Sequence, residues 1–120
     1  MSAQAEPIGD DRSGPAVAAF REAQAALAYA GREAEADAMA WAADRIVGWT
    51  GTSADTARLA RIEAECTLEI VSYLADGTRW MADNGWANEA RILSFFLPVF
   101  SNIVLSVALR RALAAFSAER

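Results

Sequence analysis

The chain has no histidine, no lysine and only one cysteine in 120 residues. Without histidine it lacks the commonest general base and the commonest metal ligand. The single thiol, Cys66, excludes an intramolecular disulfide and a zinc site built on several thiolates. Glycine (7) and proline (3) are scarce beside 29 alanines, a balance that points to helices. A mass of 12.9 kDa leaves room for one core. At 54% hydrophobic and 22% charged residues, the composition is globular rather than disordered. The expected fold is all-α: a small bundle of four to five helices behind a flexible N-terminal arm. No catalytic, cofactor-binding or metal-binding residue is assigned, so a structural or interaction role is expected rather than an enzyme.

Formal charge is −5, and every positive charge is an arginine. Residues 1–44 hold eight acids against three arginines, whereas residues 90–118 hold no acid and three arginines. An acidic front and a mildly basic back suit heterologous contacts between chains, although acids that merely solubilise the N-terminal helices are the plainer reading. No basic cluster is dense enough to neutralise several phosphates, so nucleic acid is not expected as the main ligand. The first twenty residues are acidic and lack an apolar run, so no secretory signal is expected.

Residues 1–14 read as the arm, followed by one helical unit over 15–120. Ser13 is a candidate N-cap, and Pro15 suits a first helical turn. The acidic N-terminal segment, 15–47, places Phe20, Leu27, Ala34 and Trp41 seven residues apart on a thin, alanine-rich face that needs a partner surface. Gly31 leaves both continuity and a break open. Gly48 offers a left-handed cap, and Thr52 or Ser53 a cap for the next helix. A central helix is expected over 54–76, with Leu59, Ile62, Cys66, Ile70 and Tyr73 on one stripe and Gly77 ending it. Residues 77–87 read as a loop containing the turn Asp83-Asn84-Gly85.

The run from Ile92 to Leu109 is free of charge and reaches the lower edge of a membrane span. Ser94, Pro98, Ser101, Asn102, Ser106 and Arg110 mark a polar stripe along it. A buried core helix is therefore preferred to a membrane anchor. Pro98 is expected to split the segment 88–117 into two helices. The core is expected where the Leu59–Tyr73 stripe packs against Phe95–Leu113.

Trp49, Trp80 and Trp86 fall in or beside predicted loops, where indoles serve equally as interface anchors or as lids on a small core. With Arg110 and Arg111 they form the candidate interface. Cys66 lies on an apolar stripe and reads as an inert small hydrophobe. Glu63, Glu65 and Glu69 share a helix, but no histidine completes a di-iron set. Asp76 and Asp83 lack calcium-loop spacing. Gly48 and Gly51 have neither a preceding strand nor a following lysine to make a phosphate cradle.

The stretch IVGWTGTSADTARLARIEAECTLEIVSYLADGTRW resembles the N-terminal half of head-to-tail connector (adaptor) proteins of tailed bacteriophages. Asn102–Arg110 (NIVLSVALR) resembles the apolar C-terminal helix of that family. The resemblance spans roughly residues 44–112 and rests on helix order and residue classes. It implies a virion protein, assembled in the host cytoplasm, that forms a homo-oligomeric and usually dodecameric ring. Its partners would be a portal protein and a tail or stopper protein, and DNA would pass through the lumen without being read. Trp49-Thr50-Gly51 also resembles the motif of WXG-type type VII secretion substrates. There the expected acid four residues after tyrosine is replaced by Gly77.

Overall fold

A computed structural model describes residues 14–50 and 52–118. Ser13, Gly51 and all but the last residue of the expected arm lie outside that range; Gly14, the last, opens the first helix. Of the described residues 88% are helical, in five α-helices and one 3-10 turn, and there is no strand among them.

The alanine-rich N-terminal segment divides at Gly31, whose φ of +81° only glycine adopts without strain. Helix α1 (Gly14–Tyr29) and helix α2 (Glu33–Ile46) flank it. The turn between them is closed by Arg32 N–H donating to the Leu27 carbonyl at 2.9 Å and Gly31 N–H to Ala28 at 3.0 Å. Ala16, Ala19, Phe20, Ala23 and Leu27 are buried on α1, and Ala36, Met39, Ala43 and Ile46 on α2. These mostly small side chains let the two helices pack closely.

Gly48 takes a φ of +80° and ends α2 as the sequence suggests. A single 3-10 turn, Ser53–Asp55, follows, with Ala54 N–H donating to the Thr52 hydroxyl at 3.2 Å. The expected central helix 54–76 is in fact two helices, α3 (Thr56–Glu65) and α4 (Leu68–Asp83). Cys66 and Thr67 are extended between them, and the Thr67 hydroxyl accepts the Ile70 N–H at 3.2 Å. A threonine N-cap thus stabilises a second helix start in the middle of an unbroken apolar stripe. The stripe is split as a result: Ile62 is buried, while Leu59 reaches solvent.

Gly77 does not stop α4. It lies buried inside it, where α4 passes over α1 and α2, and the buried face of α4 is Leu74, Gly77, Thr78 and Met81. The helix ends at Asp83, so the expected loop 77–87 shrinks to the turn around Gly85, at φ +92°. Trp86 N–H closes that turn on the Met81 carbonyl at 2.9 Å.

Helix α5 (Ala87–Ala118) runs unbroken through Pro98, correcting the expected split. Proline leaves the Ser94 carbonyl without its helical donor. Both Ser94 and Pro98 are exposed, so this break in the hydrogen-bond ladder lies on a side of the helix open to solvent. The front half of α5 completes the core. Phe20 meets Phe96 and Phe100 edge to face at 6.2 and 6.4 Å, and Trp41 lies 5.5 Å from Phe100. The core therefore lies among α1, α2, α4 and the first half of α5, with Ile62 of α3. The expected packing of Leu59–Tyr73 against Phe95–Leu113 is only a part of it: Ile62 and Phe100 are buried, whereas Phe95 is 81% exposed. Beyond Val104 one side of the helix is open, with Leu105, Leu109 and Leu113 at 61%, 60% and 55% exposure, while Val107, Ala108 and Arg111 border the α3–α4 junction. The preference for a buried core helix thus holds for the front half of α5 and fails for the rest.

Candidate interaction surface

Trp80 and Trp86 come together. The first sits near the end of α4 and the second in the turn before α5, and both are half-buried against the core. With Glu22, Ala25, Ala26 and Tyr29 of α1 they line a largely apolar groove of about 400 Å³. Tyr29, 97% exposed, stands at its rim. The loop assignment for Trp80 was wrong because α4 continues past Gly77. The two indoles therefore act both as core cover and as a surface.

Trp49 is elsewhere. It follows Gly48, donates its backbone N–H to the Ile46 carbonyl at 2.9 Å and packs half-buried on the core. The turn around it is tied by Asp55, which is buried. Its carboxylate accepts the Thr50 N–H at 3.0 Å, the Thr50 hydroxyl at 3.1 Å and an Arg58 N–H at 3.2 Å. Arg58 also donates to the Val47 carbonyl at 2.8 Å. Residue spacing alone does not single out this Asp55–Arg58 pair.

Arg110 and Arg111 lie at the far end of the molecule. Arg110 forms a 3.3 Å ion pair with Glu63 of α3, exposed on both sides. Arg111 borders a second cavity of about 310 Å³ with Glu63, Cys66, Thr67, Leu68 and Val104. The five residues of the expected interface thus occupy three separate places.

Two further groups bear on chemistry. Glu65 accepts a hydrogen bond from Trp41 Nε1 at 3.0 Å and an ion-paired one from Arg45, whose guanidinium stacks 5.8 Å over the Trp41 ring. The Arg45 bond first, and the Trp41 bond second, hold its carboxyl below the ordinary 4.5. A depressed folded value gives stability that is present above about 4.5 and is lost as pH falls through the lowered value. Urea midpoints at neutral and acid pH are expected to fall further in the native chain than in Glu65→Gln. Equal falls would dissociate this cluster from acid sensitivity.

Burial pushes the Cys66 thiol up to about 11 from 9.0. A shift of that size cuts the thiolate roughly 100-fold at neutral pH. Cys66 is expected to react with a disulfide reagent far more slowly in the folded chain than in urea, and equal rates would contradict that.

Among the described residues no group of three or more acids, cysteines or histidines is placed to hold a metal ion. By length and composition alone α5 is long and apolar enough to cross a membrane, and 17% of its most apolar stretch is buried. No family model matches this chain, and neither a curated protein nor a solved structure matches it.

Proposed function

We propose that this chain is a non-catalytic assembly subunit: a head-to-tail connector that forms a ring between portal and tail components of a virion. The observation that carries the reading is the second half of α5. There Leu105, Leu109 and Leu113 form a stripe about 12 Å long that stands open to water. Such a surface has a large free-energy gain available from a partner and none from solvent. The resemblance of residue classes over 44–112 to connector proteins gives that partner a form, a ring of copies. With no lysine and a net charge of −5, the chain suits a lumen that lets DNA pass without holding it.

The test is sedimentation of the purified full-length chain, with electron microscopy of particles from cells that make it. Rings in solution and density at the neck of particles are expected. A stable monomer that never appears on particles rejects the reading.

A second reading rests on the uncharged run 92–109 within α5, which fits a membrane-anchored helical subunit. Detergent phase separation distinguishes the two: a connector stays in the aqueous phase, and an anchored subunit leaves it.

A further inference from the structure

The groove at Trp80 and Trp86 and the open leucine stripe of α5 lie on one chain, at opposite ends of one helix. We infer that they are the two halves of a single interface: the stripe Leu105, Leu109 and Leu113 of one copy docks in the groove of the next. This inference rests on the proposed ring and names its contact.

Geometry forbids the contact within one chain. Trp86 immediately precedes α5, and Leu113 lies 27 residues further along it, roughly 40 Å away on a helix that does not turn back. The extents of the molecule, 63 × 36 × 18 Å, reflect that projection. A tail that cannot reach its own groove can reach that of a neighbour. A contact between two different patches is heterologous, so it propagates into a closed ring or an open filament.

Charge chooses the groove over a second tail. Two tails laid side by side would bring together Arg110 and Arg111 from each chain, four cations with only the two Glu63 carboxylates beside them. The groove instead presents Glu22 and no cation among its lining residues. Arg110 lies about 60° round the helix from Leu113, on the flank of the stripe. Its pair with Glu63 is solvent-exposed and so easily exchanged for a new partner. Apolar side chains thus meet apolar walls with a cation beside an acid, the arrangement that sets register in heterologous contacts. Tyr29 and two indoles are also residue types that dominate binding hot spots.

The test uses two full-length double variants. One carries Leu109→Asp and Leu113→Asp, and the other carries Glu22→Arg and Tyr29→Asp. All four positions are solvent-exposed, and circular dichroism melts check that both variants keep the fold. In sedimentation velocity the native chain is expected to assemble. Each variant alone is expected to self-associate at least tenfold more weakly. An equimolar mixture should recover a heterodimer that grows no further, since only one intact stripe and one intact groove remain to meet. If the native chain assembles and the groove variant assembles equally well, or the mixture stays monomeric, this contact is wrong while the ring reading stands. A native chain that is monomeric at every concentration, or that partitions into detergent, removes both.

Discussion

Replacing Phe100 by alanine is expected to cost about 3–5 kcal/mol of stability. Phe100 is fully buried and is the point where three helices meet. Its ring stands edge to face with Phe20 of α1 at an interplanar angle of 83° and leans on Trp41 of α2. The loss comprises the transfer free energy of a whole ring plus a cavity. The cavity is what places the cost at the upper part of that range. The buried residues of α1 and α2 are mostly alanine, and alanine has no rotamer that can swing into a void. For a domain whose whole stability is about 5–15 kcal/mol, the variant would stand near unfolding. Urea titration followed by circular dichroism measures it. A loss under about 1 kcal/mol would show that the junction collapses freely.

Gly77→Leu should be almost as damaging, at about 3 kcal/mol. A Cβ at this position would lie 2.7 Å from Met39 Cε and 3.0 Å from Leu27 Cδ1, both on buried side chains. Gly77→Ala is the informative control. Alanine gains about 1 kcal/mol of helix propensity over glycine, and the atoms it displaces are the tips of side chains that can shift a little. It is therefore expected to be near neutral. Leucine adds three further carbons with no space to enter, so α4 must lift from α1 and α2. Thermal melts of the two variants beside the native chain separate the effects. Equal and small shifts would show that α4 does not approach as closely as Gly77 implies.

These two positions also explain why the assembly surface lies where it does. Closely packed alanines, Gly77 and one aromatic cluster use up the core-forming capacity of α1, α2 and α4 over the first half of α5. Leu105, Leu109 and Leu113 lie outside that cluster. They are as apolar as the leucines inside, but they stand on the open side of α5, away from the α3–α4 junction that Val107 and Ala108 border.

Several features were legible in the residues themselves. Gly48, Thr52 and the Asp83-Asn84-Gly85 turn act where local chemistry places them, because a positive φ or a side-chain cap is decided within a few residues. Gly31, left open in the sequence, resolves as a break. Three other positions were read wrongly. At Cys66-Thr67 the apolar period runs on across a real break, so periodicity gave no warning, and Thr67 as a cap was the one available signal. Gly77 looks like a terminator and is a contact point, which depends on what passes beside it. Pro98 looks like a break and is tolerated because its side of the helix faces water.

The all-α class, the absence of a histidine- or lysine-based centre and the main turns were determined by the sequence, through composition and short-range backbone preference. The tertiary structure decided which apolar faces become core. Leu74 and Leu109 are alike as residues, yet one is sealed inside and the other open. The difference is whether another helix lies opposite, and that is set by lengths and crossing points of the whole chain.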